Sequence, residues 1–536
     1  MNLRRSRAAL ARPVLLTLTL PLVAAGLAAC GSGSGSGSES EEYVDGKPFT
    51  MAIASDPGAL DPHGGVTSTL LQLSRFAYDS LVSVDKEGEV RSQLAEKWSV
   101  DGTTVTFDIK KDVTCADGSA FTAQTVVDNI SYVEDPKNKS PYLGVFIPAG
   151  ATAKASGQTV TVTLAAPAPF VLASFAYLPM VCDSGLADRE SLKTGTAGTG
   201  PYVLEDVVPG DRYTYEVRKD YTWGPDGATT AATGTPATIE AKIVANNTTV
   251  ANQLLSGELN AASITGQDAA RLDAAKLNRV DAQAVVGEQW FNHNEGHPTA
   301  DPAVRAALTQ ALDLAELQKV ITADKGGPAT QLAVVEPAGC TGSSVEGNLV
   351  DNDAAAAEKA LDDAGWTAGA DGVRTKAGQP LAVDFVYDSS LGASGTAAAE
   401  LAVAAWKKVG IDAKATSLDQ TAIQTAMFGT GDWDVIWEPV NINTPDQIVP
   451  FLSGPAPAEG GNNFAGIANS GYDAAVKTAM AKNGAEGCED WLAAEASLFE
   501  SYDVVPFANN LLPFFSQGAE LEVVGGVVPT SIRMLG

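Results

Sequence analysis

The chain of 536 residues predicts an exported α/β protein of two or three lobes. Three observations carry this. The first forty residues have the layout of an export signal. The first half of the remainder alternates in the manner of strands. The second half alternates helix with strand. About 490 residues follow the leader and tether, enough for two or three lobes. At 45% hydrophobic and 19% charged residues, the composition is that of a globular chain.

Arg4, Arg5, Arg7 and Arg12 open the chain without an acidic residue, and an apolar run follows from Val14 to Ala25. That run is short of the roughly 20 residues a membrane span needs, so it reads as a secretory signal. Leu27-Ala28-Ala29-Cys30 follows, and it resembles the bacterial lipobox. The resemblance implies cleavage before Cys30 and a lipid on its thiol. Gly31 to Ser38 alternates Gly and Ser, a composition that forms a flexible tether.

The net charge is −30, and loss of residues 1–29 removes four arginines and no acid. A chain this acidic has no basic face for phosphates, which argues against nucleic acid as partner. With Cys30 assigned to lipid, Cys115, Cys182, Cys340 and Cys488 remain. An even number in an oxidising compartment predicts two disulfides, and three pairings are open.

Period-two alternation predicts strands over Thr104 to Lys110, Thr159 to Leu164 and Tyr213 to Arg218. Thr122 is placed as the N-cap of a helix carrying Val126, Val127 and Ile130. Asp301-Pro302 opens another, with Asp as cap and Pro in the first turn. Then follow a helix from Asp353 to Ala364, a strand from Leu381 to Tyr387, a helix from Ala397 to Val409 and a strand from Ile411 to Ala415. Helix and strand in alternation form an α/β lobe. The Gly- and Pro-rich stretch from Trp223 to Pro236 reads as a surface insertion.

Several segments in fixed order resemble one family. They include Leu60-Asp61-Pro62-His63, Tyr78-Asp79-Ser80-Leu81-Val82, Leu94-Ala95-Glu96-Lys97-Trp98, Phe107 to Val113 and Asp117 to Ala123. Gly198-Thr199-Gly200-Pro201-Tyr202, Arg218 to Tyr221, Asp301 to Leu308, Ala357 to Leu361 with Ala364-Gly365-Trp366, Lys407 to Ile411 and Gly431 to Asp434 continue the series. Together, from about Pro57 to Pro506, they resemble the extracellular solute-binding proteins of family 5, the dipeptide-, oligopeptide- and nickel-binding group. Each piece alone is a common turn or cap; their order is the specific signal.

The resemblance implies a two-lobed periplasmic-binding-protein fold of the cluster C type, with a small α+β subdomain inserted in the first lobe. It places the first lobe at 43–285 with the insertion at about 83–190, the second at 286–500, and a return to the first at 501–536. Residues 1–29 are then the signal and 30–42 the tether. With each lobe holding one pair, it implies Cys115–Cys182 and Cys340–Cys488. The implied role is capture of a peptide-like solute in an interlobe cleft and delivery to an ABC permease driven by a separate ATPase subunit. This chain has no phosphate-binding Gly-x-x-x-x-Gly-Lys-Ser/Thr loop. No cofactor is expected, the membrane is met through the lipid alone, and the protein is expected to be a monomer.

Peptide binders of this family hold the ligand's amino group with an acidic residue, in a loop that usually ends in an Asp-Pro-Asp-like run. Here the stretch from Trp437 and Glu438 through Asn441, Asn443 and Asp446 has Thr444 before Pro445. Either Glu438 or Asp446 takes the amine, or the ligand has no free amine there. His63, Trp290, Asn292 and Asn294 complete the expected ligand contacts. A sugar, an opine or a metal chelate is the alternative solute.

His293 and His297 stand four apart, but Gly296 and Pro298 argue against the helix a metal pair would need, and no bare metal site is expected. The rival class, a secreted lipid-anchored hydrolase, lacks a Gly-x-Ser-x-Gly elbow or a His-Glu-x-x-His helix.

Overall fold

The computed structural model describes residues 42–65 and 67–536. Cys30 and the leader lie outside them. Among the described residues no helix is long and apolar enough to cross a membrane.

Two long strands organise the fold. Asn278–Phe291 and Val504–Ser516 pair antiparallel along nearly their whole length. At one end of this ribbon, Val504–Ser516 pairs with Ala261–Ser263, which leads to Pro48–Ile53, Thr238–Ile243, Arg212–Val217 and Tyr202–Val208. At the other end, Asn278–Phe291 pairs with Val435–Trp437, which leads to Ala382–Asp388 and Asp412–Leu418. One ten-stranded sheet therefore serves two lobes, and the ribbon is the bridge between them. The register slips at Val285/Gly287 and Gly287/Glu288, between the two sets of partners. Gly287 is needed there for space: a Cβ would stand 2.4 Å from the Phe507 ring.

Each lobe buries both faces of its part of the sheet. In the first lobe Phe49, Met51, Phe76 and Tyr215 pack on one side, and Leu254, Leu272 and Phe515 on the other. In the second, Phe385, Trp406 and Trp437 fill one side, while Trp290, Ile436 and Trp491 fill the other. The parallel pairing of Ala382–Asp388 with both its neighbours is what helix–strand alternation dictates. Asp301 and Asp353 cap their helices as their side chains require, accepting from Ala303 N and Ala356 N. The helix Gly392–Lys408 begins five residues earlier than its apolar period indicates, because Gly395 and Ala398 are already buried.

A separate four-stranded antiparallel sheet, in the order Ala95–Asp101, Thr104–Ile109, Thr159–Thr163, Thr152–Ser156, forms the inserted subdomain. Val105, Phe107 and Ile109 point inward with Val160 and Val162, against Val126 and Ile130 of the helix Ala123–Glu134. Thr122 caps that helix in a reciprocal pair with Thr125. Cys115 is joined to Cys182 across 67 residues, and Cys340 to Cys488 across 148. Closing loops of these lengths restricts the unfolded chain by about 4–5 kcal/mol each in the chain-entropy model.

The stretch read as a surface insertion is exposed or half-buried over 225–233, but its first residue departs from that reading. Trp223 is buried, with the Arg218 guanidinium over its ring. Its Nε1 donates to Asp79, which also accepts from Gln93, Thr199 and Tyr221 at 2.8–2.9 Å. Asp79 is 1% exposed, and burial raises its pKa against these four hydrogen bonds. Tyr221, just ahead of the stretch, and Trp223, at its start, supply two of the four donors, which composition alone does not reveal.

Asp79→Ala removes the shared acceptor of four donors: Thr199 and Tyr221 are buried, Gln93 is half-buried, and Trp223 keeps its second bond to Thr199 O. We expect it to cost roughly 3 kcal/mol or more, read as a lower midpoint in urea denaturation.

Candidate solute cleft

A cavity of about 480 Å³ lies between the inserted subdomain and the second lobe. Val90, Trp98, Val100 and Leu172 form the wall on the subdomain side. Pro337, Ala338, Asn443, Thr444, Gln447 and Asn483 form the wall opposite. The two sides touch directly: Gly484 N donates to Pro169 O at 3.0 Å. Phe170, carried by the subdomain, is buried in the second lobe's core beside Trp491. Its ring sits where Gly339 leaves room, since a Cβ there would stand 2.8 Å from it.

Two loops build the second-lobe wall and are stitched together. Val335 N donates to Ile442 O, Gly339 N to Asn443 O, and Asn443 Nδ2 to Val335 O, at 2.7–3.1 Å. Gln447 Oε1 accepts from Asn443 N. Cys340–Cys488 ties the first of these loops to the helix Cys488–Glu500. The second is tied to the ribbon: Asn441 accepts from Val285 N and donates to Val285 O, beside the bulge.

Of the nine expected contacts, Asn443 lines the cavity. Asn441 is exposed but committed to Val285. Trp290 and Trp437 are fully buried on opposite faces of the sheet, donating to Glu438 O and Gln289 Oε1. Asn292 is fully buried, donating to Gly431 O and Trp433 O and accepting from Asn294. Glu438 is buried. Asp446 accepts from Thr444 Oγ1, and burial raises its pKa. His63 lies in the first lobe between Tyr132 and Tyr142, its Nε2 2.8 Å from Pro179 O. Burial lowers its pKa to about 3, so it stays neutral and donates that bond.

His297 Nδ1 meets Asp434 at 2.8 Å, and His293 lies 3.9 Å from Asp503. Among the described residues no group of three or more His, Cys, Asp or Glu could hold a metal ion.

Sequence reasoning missed Trp98, Phe170, Thr444 and Gln447. Trp98 ends the Leu94 to Trp98 motif and could have been weighed as a wall residue. Phe170 stands between Pro169 and a five-residue helix, too short a context to show periodicity.

Comparison with known proteins shows the family of the chain. The family described as bacterial extracellular solute-binding proteins, family 5 Middle, matches residues 89–458. The chain belongs to this family. Family 5 proteins are the non-catalytic, extracytoplasmic solute-binding components of ABC importers. Protein XP55 of Streptomyces lividans is 28% identical over 438 residues, 80% of this chain and 76% of its own. The periplasmic murein peptide-binding protein MppA of Escherichia coli is 25% identical over 490 residues, 85% and 86% of the two chains. Among solved structures, a substrate-binding protein from Microbacterium hydrocarbonoxydans, complexed with 4-hydroxybenzoate hydrazide, aligns with a TM-score of 0.68 and 26% identity. It covers 91% of this chain and all of that one.

As a two-lobed family 5 protein, this chain owes part of its lobe-to-lobe contact to Phe170. Phe170→Ala is expected to remove about 3 kcal/mol of that packing. Solution scattering then shows a larger radius of gyration than wild type in the absence of solute.

Proposed function

We propose that this family 5 protein captures a short peptide-like solute with an apolar or aromatic side chain. The interlobe cavity is the site, and a lipid on Cys30 holds the protein at the outer face of the membrane. The observation that carries this reading is the division of the cavity wall. Apolar and aromatic side chains stand on one lobe, and the amides of Asn443, Gln447 and Asn483 on the other. A peptide offers both an apolar group and hydrogen-bonding amides. The volume falls within the range of sites for small ligands. No lysine or arginine lines the cavity, and its one charged side chain, Glu89, is exposed. Such a wall disfavours a polyanionic chelate and gives a sugar few partners.

Solute that touches both lobes favours the closed arrangement by its extra contacts there. The ribbon carries the ten-stranded sheet from one lobe to the other, and its bulge at Gly287 is the position we assign to the hinge. Delivery then follows when the permease engages the closed form, with ATP chemistry supplied by another subunit. Glu438 and Asp446 stand behind the wall, so the reading does not need a peptide amine.

The tripeptide Ala-Phe-Ala is expected to raise the melting temperature of the purified mature protein, with a stabilisation near 2.7 kcal/mol at a hundredfold excess over Kd. Its N-acetylated form binds comparably, and Asn443→Ala weakens both. Shifts produced by sugars or metal chelates, with none by apolar peptides, overturn the assignment. Cys30→Ser leaves the protein without lipid and releases it from the membrane fraction.

A further inference from the structure

Behind the second-lobe wall, carboxylic side chains are buried in one layer. Glu288 is 0% exposed, Glu495 3% and Glu438 8%. Glu495, in the helix Cys488–Glu500, accepts from Leu332 N at 3.0 Å and from Ser344 Oγ at 2.5 Å. Those two residues bracket the loop that presents Pro337 to Gly339 to the cavity. Glu288, on the long strand next to Gly287, accepts from Val440 N at 2.7 Å, and its Oε1 is buried without a partner. Val440 begins the loop that presents Asn443 and Thr444. Each of the two loops of the wall thus hangs from a buried carboxyl group.

A role as acceptor alone would be filled by glutamine at less cost, because a buried carboxylate without a cation is unfavourable. Neither Glu288 nor Glu495 has an ion-pair partner within 4 Å among the described residues. We propose that Glu495 and Glu288 are positioning residues for solute capture: protonated, they hold the two loops of the cavity wall in place, and ionisation releases them. The effect on binding rests on the interlobe cavity being the solute site; the hold on the loops does not.

The environment sets the direction. Burial pushes Glu288 up from 4.5 to about 8 and Glu495 to about 7, against the bonds from Val440, Ser344 and Leu332, which by themselves favour the ionised form. Release follows because the ionised carboxyl gains more from water than it loses in these bonds. From the sheet and its following loop, Glu438 joins Glu495 in raising Glu288. From the helix Ser470–Ala479, Tyr472 faces Glu495, and Asp473 and Asp446 act on its phenol. Burial holds that phenol far above its ordinary value, so it is neutral throughout. Opening a loop returns its carboxyl to water, where it titrates near 4.5. The held state therefore binds the proton more tightly than the opened state. Its advantage is complete below about pH 4.5 and is lost as pH rises through about 7 for Glu495 and about 8 for Glu288. Over that window the opening constant climbs by up to about tenfold per pH unit.

Amide hydrogen exchange on the whole mature protein at pH 5, 6, 7 and 8, corrected for intrinsic rate, tests this at Leu332 and Val440. In the wild type, protection at Leu332 is expected to fall by about 10- to 100-fold between pH 5 and 7, and Val440 follows to pH 8. Glu495→Gln, which mimics the protonated acid, keeps Leu332 protected across the range, and Glu288→Gln does the same for Val440. Glu495→Ala exposes Leu332 at every pH; should it not fold, Ser344→Ala gives a milder loss at the same amide. Protection independent of pH in the wild type, or a Gln variant with the wild-type profile, overturns the proposal. Affinity for Ala-Phe-Ala over the same range is expected to fall in the wild type, to fall less in Glu495→Gln, where Glu288 still titrates, and to stay level in the Glu288→Gln/Glu495→Gln double variant. If the exchange profiles hold while the tripeptide binds at no pH, the carboxyl hold stands and the assigned solute class falls.

Discussion

The hydrogen-bonded ribbon of Asn278–Phe291 and Val504–Ser516 is the constraint on which the rest depends. A sheet normally continues in one direction within one core. Here one ten-stranded sheet runs through both lobes, and the two strands take their further partners in different lobes, so each lobe completes its own layers around a shared element. The backbone groups of the crossing are largely paired within the ribbon, so it can bend without exposing unsatisfied donors. The register shifts at two successive steps around Gly287, where Phe507 approaches too closely for any side chain.

The cleft is built outward from this crossing. Asn441 binds the loop 438–447 to Val285 at the ribbon, and Glu288 binds the same loop one turn of the pleat away. The facing loop is fastened by Cys340–Cys488 and by Glu495. Most of the polar side chains near the site are therefore spent on the protein itself. What they leave facing the cavity is a few amides and an apolar wall. The buried acids are costly in a core, and the geometry gives them a use, since each holds one loop by its backbone.

The inserted subdomain joins in a different way. Its core is separate, but its base is anchored at Asp79, where donors from the subdomain neck, the turn at Thr199 and the Tyr221–Trp223 segment converge. Its far side reaches the second lobe through Phe170. The subdomain thus forms a wall of the cavity from outside both sheets.

Much of the fold was legible in the sequence because its determinants are local. Alternating Val105, Phe107 and Ile109 make a strand wherever they are placed, and Asp301 or Asp353 before an apolar helical run makes a cap. The order of short motifs from Leu60 to Asp434 carried the family and with it the two lobes. The cleft was less legible because side-chain direction depends on partners distant in the chain. Trp290, Asn292 and Trp437 have the polarity and size of ligand contacts, yet the sheet turns them inward, and Trp223 leaves its Gly- and Pro-rich segment for Asp79, 144 residues away. The sequence by itself determined many of the elements and their caps, since these rest on neighbouring residues. Only the tertiary structure decided which polar groups face the cavity and which hold its walls, because that choice is made by burial between segments far apart.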